Sequence, residues 1–424
     1  MAVTPLATDV ANGRYAAGPM ERSSLLRDRA SAGAAHVTTT ELFFDLVYVF
    51  TFIQLSEFLY EHLTPIGLLE VAVLFLAVWW GWIHTAWSTN WLNAGTGPAT
   101  VLVSVLMVLG LVMASAIDHA FDPHHSRALA FAGGYVALQL VRDAAMVWVF
   151  GPGLRNPMAR NYVHVFVWSC FSAVPWIAGA IVHSPHLRLL LWWVAIAIDV
   201  LGPLVGFWLP GSGQTRLRGW RIVPEHLAER CELVLIIAFG ESLMRLGESF
   251  AEARGHPGVA TAFIVGFVLI FALWATYFMD RSEHELAQMG ARHDFVVRVG
   301  RTAYAYAHAL MVGGVLGIAV AIHLAIEHPS DHVSVIVGVD FLLSPALYLF
   351  GLIIYRMSIG DRRHIRAAIY AIVALVVLGG AATQLNRLGT LSAVTVVAIV
   401  LSFTTLWRPV TPASPKMPAS PASP

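Results

Sequence analysis

The chain has 424 residues, and its 26 Lys or Arg balance 26 Asp or Glu, so formal net charge is zero. Charged residues make up only 12% and hydrophobic residues 57%, against about 25% charged in a soluble domain, and mean hydropathy is +0.68. Too few polar groups exist to cover a water-facing surface, which excludes a soluble multidomain enzyme, and the lack of any basic block excludes a nucleic-acid partner.

Residues 1–36 carry Arg14, Arg22, Arg27 and Arg29 but no apolar core, so they read as a disordered cytoplasmic tail rather than a cleaved signal peptide. Twelve apolar runs follow, each long enough to cross a hydrocarbon core of roughly 30 Å as a helix. In a first half, 37–210, they cover 41–59, 66–88, 98–118, 128–150, 161–182 and 187–209. In a second half, 211–408, they cover 228–249, 258–279, 301–325, 333–357, 366–384 and 389–407. The remainder, 409–424, is Pro, Ala and Ser and reads as a second disordered tail. The predicted fold is an all-α integral membrane protein of about twelve transmembrane helices.

Basic residues give an independent test of that count. With the N-terminus in the cytoplasm, 20 of the 26 fall on inner segments, and only Arg127, Arg188, Arg254 and Arg387 fall outside. Arg142 and Arg245 remain inside spans. The positive-inside rule predicts this asymmetry, with both termini in the cytoplasm. Trp79, Trp80, Trp82, Trp87, Trp91, Trp192, Trp193 and Trp208 suit interfacial belts.

The halves show a weak ordered similarity. Asp45-Leu46-Val47 aligns with Glu232-Leu233-Val234, and Gln54 then meets Glu241. Leu106-Met107-Val108 aligns with Leu310-Met311-Val312, which pairs Gly110 with Gly314, His119 with His323 and His124 with His328. Two six-span halves that each start and end inside would be parallel repeats with a site between them. Chance matching of common apolar residues is the competing explanation.

Thr40-Glu41-Leu42-Phe43-Phe44-Asp45-Leu46-Val47-Tyr48-Val49-Phe50, extended by Gln54-Leu55-Ser56, closely resembles the opening motif of the bacterial low temperature requirement protein A family, LtrA. Glu229-Arg230 followed by Gly240-Glu241-Ser242 resembles its second signature. Trp79-Trp80-Gly81-Trp82, Tyr277-Phe278 and Tyr306-Ala307-His308 are weaker echoes. Departures are Asn90-Trp91-Leu92-Asn93-Ala94, which lacks the family's acids, Met279 before Asp280, and Cys231-Glu232 where the family's signature is more apolar. The resemblance implies a multi-spanning bacterial inner-membrane protein, named for growth in the cold, and supplies no substrate.

An ionisable side chain at the centre of a span costs about 2.5–3.5 kcal/mol on insertion scales, so each must face protein or water. Glu41 and Asp45, four residues apart, share one helix face near the start of the first span. A carboxylate there also complements the positive helix N-terminus. Glu232 mirrors Asp45 in the repeat. Glu241 lies about 20 Å along the seventh span at 1.5 Å per residue, with Arg245 one turn on and Glu248 continuing the stripe. It reads as a proton- or cation-responsive carboxylate, or as half of a neutral structural pair. Asp199 precedes Gly202-Pro203, which frees backbone carbonyls for a partner. It reads as a cation site or proton relay, or as a partner of Arg142 or Arg245. Arg142 and Asp143 are neighbours on different helix faces and are expected not to pair. His308 reads as a hydrogen-bonded core histidine.

The outer loops are histidine-rich. His119, His124 and His125, with His323 at the matching end of the second half, are the candidate metal ligands, although their spacing fits no defined motif. Cys170 and Cys231 suggest neither disulfides nor zinc. No phosphate loop exists, and no cofactor is expected. The leading expectation is a secondary transporter or an ion- or proton-translocating permease, its site built from Asp45, Gln54, Asp199, Glu232, Glu241 and Arg245. Its partners would be the lipid bilayer and a small solute, ion or proton. The alternatives are a lipid-modifying enzyme using Glu41, Asp45 and Glu232 at one interface, and a non-catalytic factor for cold adaptation. Substrate and oligomeric state stay open.

Overall fold

The computed structural model describes residues 22–27, 36–151, 156–215, 222–253, 257–279, 300–362 and 364–406. The tail from 409 and the basic residues Arg281, Arg292 and Arg298 lie outside the described residues. Part of the expected N-terminal tail is structured: Arg22–Leu25 form a short 3-10 turn, and Leu26 bridges to Leu92.

The first half holds α1 (Thr39–Glu61), α2 (Pro65–Thr89), α3 (Gly97–Ala114), α4 (Ala128–Phe150), α5 (Pro157–Ile181) and α6 (Pro185–Leu204). The second holds α7 (Pro224–Glu252), α8 (Val259–Phe278), α9 (His308–Glu327), α10 (Val335–Ile359), α11 (Ile365–Ala381) and α12 (Arg387–Leu406). A π-helical segment, Gly300–Ala307, leads into α9. Local signals set many helix starts. Proline stands in the first turn of α2, α3, α5, α6 and α7, where no helical N–H is lost. Thr38 and Glu41 close a reciprocal capping box on α1.

Ten of these helices are long and apolar enough to cross a membrane, which makes the chain a multi-pass membrane protein. The sequence led us to expect twelve such spans. The two outside the ten, α4 and α7, are 23 and 29 residues long and carry the buried polar groups Gln139, Arg142 and Asp143, or His226, Arg230 and Glu241. Their polar side chains turn inward, so mean hydropathy understates how apolar their outer faces are. Phe43, Val101, Val174, Ile181, Val376 and Val377 are each 60% or more exposed, as lipid-facing positions are.

In the first half α1 packs on α2 and α3, α3 on α4, α4 on α5, α5 on α6 and α2 on α6. In the second α7 packs on α8 and α9, α9 on α10, α10 on α11, α11 on α12 and α8 on α12. The halves meet where α1 and α2 pack against α7 and α9. Of those ten spans the one that holds α9, Gly300–Glu327, is the most enclosed, at 83% buried, against 22% for the one that holds α11. Small residues make this possible. A Cβ on Gly314 would lie 2.6 Å from the Ser344 carbonyl oxygen and the Tyr348 amide of α10.

Several tryptophans expected at the membrane interface are core residues instead. Trp79, Trp80, Trp82 and Trp192 are at most 2% exposed. Each indole N–H finds an internal acceptor: the Ala305 carbonyl at 2.7 Å, the Asp199 carbonyl at 3.1 Å, the Asp45 carboxylate at 2.8 Å and the Trp176 carbonyl at 3.0 Å. A buried indole needs such a partner. Trp208 is exposed.

Candidate functional site

We call the face where α1 starts the basic face, since Arg160, Arg301, Arg356 and Arg366 lie at that end of their helices. The opposite face is the histidine face. The predicted site residues do not gather in one place. They divide among three clusters, and the principal cavity is lined by other residues.

The first cluster ties α1 to α7 near the basic face. Arg230 donates to Asp45 at 2.6 Å and lies 3.3 Å from Glu41. Glu41 also meets His226 at 2.9 Å and Arg27 at 3.4 Å, and Trp82 donates to Asp45. The guanidinium of Arg230 lies 5.7 Å from the Trp82 ring centre and 5.9 Å from that of Phe44. Glu41, Asp45, His226 and Arg230 are at most 1% exposed. Glu229 accepts from the Val37 amide, which pins the chain entering α1. Asn90 holds the first turn of α7 through two 2.9 Å bonds with the Val223 backbone. The residue of α7 that reaches Asp45 is Arg230, while Glu232, which aligns with Asp45 in the repeat, is half-buried.

The second cluster lies toward the histidine face. Ser56 of α1 donates to Glu241 Oε1 at 2.5 Å, and Glu241 Oε2 has no hydrogen-bond partner although the residue is 1% exposed. The expected pair of Glu241 with Arg245 is loose, at 3.9 Å. Arg245 binds Glu57 of α1 at 2.5 Å and Ser56 at 3.2 Å. Ser249 bridges to His323 of α9 at 2.6 Å, and Tyr60 donates to Glu327 at 2.5 Å. Gln54, expected beside Glu241, donates instead to Asp118 in the α3–α4 loop at 2.8 Å. Burial pushes the Asp118 carboxyl up, and the Gln54 bond partly offsets this. Ser242 bonds backbone carbonyls of α7 and α9, and the Gly240 α-carbon faces open space.

The third cluster surrounds Asp199 of α6. Tyr135 and Trp176 donate to its Oδ2 at 2.8 and 3.2 Å, so its partners are neither Arg142 nor Arg245. Pro203 has no N–H for the Asp199 carbonyl four residues earlier, and Trp80 fills that vacancy. The expectation that Pro203 would free a carbonyl for a partner is met here. Arg142 and Asp143, expected to point apart, form an ion pair through Nε at 3.0 Å and Nη2 at 2.9 Å. The long arginine side chain folds back along its own helix. Ser169 takes the other Asp143 oxygen at 2.7 Å.

Beside this pair a cavity of about 280 Å³ opens among α2, α4, α5, the end of α6 and the π segment. Its polar wall includes His84, Arg142, Asp143 and Arg301, with Ser88, Gln214 and Thr215, and Trp80, Trp87, Tyr162 and Tyr306 supply aromatic surface. A π-helical turn is a frequent functional irregularity, and it places Arg301, Ala305 and Tyr306 on the wall. The sequence signalled Arg142 as a cation inside a span and Pro203 as a break. It did not single out His84 or Arg301. Asp340 of α10 also went unmarked: it is 3% exposed, Ser344 donates to Oδ1 at 2.9 Å, and Oδ2 has no partner. An acid alone in an apolar span was the available signal.

The two motif-bearing helices, α1 and α7, thus build both the basic-face network and the Glu241 cluster. A family model for the bacterial low temperature requirement A protein (LtrA) matches residues 36–403. The chain belongs to that family. Its motif residues Glu41, Phe44, Asp45, Glu229 and Arg230 lie in or beside one network, and Glu241 and Ser242 lie buried further along α7. The chain is similar to the uncharacterized protein RA0937 of Rhizobium meliloti (strain 1021), at 34% identity over 316 residues, covering 73% of this chain and 75% of that one. No solved structure matches this LtrA protein.

The histidine candidates do not converge. Asp122 accepts the backbone amides of His124 and His125 at 2.7 and 3.0 Å, which leaves those rings outside the turn, while His323 bonds Ser249. Among the described residues no three His, Cys, Asp or Glu side chains gather as a metal site. His308 is a core histidine, as expected, bonded to the Ala303 carbonyl at 2.7 Å and the Tyr277 hydroxyl at 2.9 Å.

Proposed function

We propose that this LtrA protein is a secondary permease of the bacterial cytoplasmic membrane in which Glu241 takes up and releases a proton. One observation carries the reading. Glu241 is buried halfway along α7 with one oxygen unpartnered, and Ser56 and Arg245 connect it to Glu57, whose side chain is 38% exposed. A bare carboxylate in such a place is costly. Protonation removes that cost, and deprotonation makes Arg245 more attractive to Glu241 than to Glu57. The alternating preference of one arginine for two acids couples proton occupancy to the α1–α7 contact. A metal cation is less suited, because Ca²⁺ wants six to eight oxygens, and one serine and one carboxylate stand here.

The matched helix packing of the two halves supports two parallel six-helix repeats, with α4 and α7 as the polar members of twelve spans, and the placement of basic residues supports both termini in the cytoplasm. An interfacial lipid enzyme using Glu41 and Asp45 fits less well, since both acids are buried and held by Arg230. Proteoliposomes holding a pH-sensitive dye test the proposal. Wild type should relax an imposed pH gradient in the presence of its solute, and Glu241→Gln should not, while folding equally well. Equal proton flux in the two proteins would overturn it.

A further inference from the structure

We propose that the cavity between α2, α4, α5, α6 and the π segment is a binding site for a small aromatic anion, a ring bearing a carboxylate or phosphate. Arg142 of the first half and Arg301 of the second both line this one space. Arg142 is 1% exposed, and its Nη1 is buried with no hydrogen-bond partner. Arg301 has a buried Nε in the same state, while its Nη1 is anchored on the Pro203 carbonyl at 2.5 Å. A buried guanidinium nitrogen without an acceptor is costly, and an anion is the partner that removes the cost.

The acid on this wall cannot serve that purpose again. Both Asp143 oxygens are occupied, one by Arg142 and one by Ser169. An entering cation would therefore meet two positive groups and one satisfied carboxylate. His84 adds a ring nitrogen 3.4 Å from Arg142 Nη2.

The rest of the wall selects a ring. The polar ends of Trp80 and Tyr306 are tied to α6, on the carbonyls of Asp199 and Val200. Their rings lie 5.6 Å apart and flank the cavity together with Trp87. Fixed aromatic faces beside a cation bind a flat, apolar body with one charged end. A volume of about 280 Å³ lies just below the range of roughly 300–1,000 Å³ for ligand pockets. It suits one ring and its acid group rather than a long chain.

Equilibrium dialysis of the purified full-length protein in detergent, with radiolabelled benzoate as the probe, tests this without reference to proton coupling. Saturable binding is expected, displaced by phenyl phosphate but not by neutral benzyl alcohol or by acetate. Arg301→Gln should weaken it by about tenfold or more. Arg142→Gln alone would strand Asp143, so Arg142→Gln with Asp143→Asn is the second variant, and it should weaken binding similarly. Glu241→Gln should bind benzoate as wild type does, which separates this site from the permease proposal. Absence of saturable binding to folded wild type, unaltered affinity in Arg301→Gln, or equal displacement by benzyl alcohol would each overturn the assignment.

Discussion

Arg230 Nη2 stands 2.6 Å from Asp45 Oδ1, and this contact joins the two motif-bearing helices, α1 and α7, at a point from which solvent is excluded. The same guanidinium reaches Glu41 and lies beside the rings of Phe44 and Trp82. Removing one partner of a buried ion pair leaves the other charged and unpaired, at a cost of about 3–5 kcal/mol. Arg230→Ala should therefore lower stability by that amount, read as loss of folded protein in detergent melts. Arg230→Lys should recover only part of it, because an ammonium cannot span both acids in one plane.

Trp80 and Pro203 offer a cleaner test of a single bond. Trp80→Phe removes the donor that serves the Asp199 carbonyl, and an unsatisfied buried acceptor costs about 1–3 kcal/mol. Pro203→Ala restores a helical N–H at the position that normally serves that carbonyl. In a double-mutant cycle, the penalty of Trp80→Phe should shrink in the Pro203→Ala background. An additive cycle would mean that the carbonyl finds another donor.

The crossing of α9 and α10 depends on glycine. At Gly314 a Cβ would lie 2.6 Å from backbone atoms of α10, and at Gly351 the same distance from the Ala307 carbonyl. Backbone cannot rotate away as a side-chain tip can. Gly314→Ala should destabilise by at least the ~1–3 kcal/mol typical of overpacking. Gly240→Ala, with nothing within 4 Å of its new methyl group, should be tolerated. Melting curves of the two variants measured side by side check the contrast.

Glu57→Gln should slow proton uptake without abolishing it. It removes the acid that holds Arg245 on the histidine face, while Ser56 and Glu241 stay in place. Rates in the dye-loaded proteoliposomes should fall to an intermediate level, between wild type and Glu241→Gln.

The α3–α4 loop provides a pH test outside the membrane helices. The backbone amides of His125 and His124 hold the Asp122 carboxyl below its ordinary pKa of 3.8. A depressed folded-state value means that the turn is stabilised by these bonds above pH 3.8 and loses them as pH falls through the lower value. A carboxyl chemical-shift titration should give an Asp122 midpoint below 3.8, returning to it when the turn is unfolded.

Much of the architecture is readable from residue order. The expected runs 66–88 and 128–150 match α2 and α4 within a residue, because Thr64-Pro65 and Asn90 mark the ends of α2 and Gly151 the end of α4. The break after Asp199 was visible for the same reason, since a proline always leaves the carbonyl four residues earlier without its donor. Partners were harder to read. The sequence suggested Glu241 with Arg245 and kept Arg142 apart from Asp143, yet Arg245 prefers Glu57 and Arg142 turns to its neighbour. Spacing along one helix constrains Cβ positions, whereas long side chains choose among acceptors that other helices bring near.

The sequence by itself determined that this chain lives in a membrane, that helices such as α2 and α4 fall where apolar runs do, and that a few ionisable residues must face inward. Those outcomes follow from transfer free energies and local backbone chemistry, which act on residues close in order. Tertiary structure alone decided that the motif acids divide between a dry basic-face network and a cluster with one unpaired oxygen. It also decided that Arg301, expected at the inner end of the ninth span, shares a cavity with Arg142. Both outcomes depend on residues 159 to 185 positions apart meeting across the helix bundle, a distance over which no periodicity carries information.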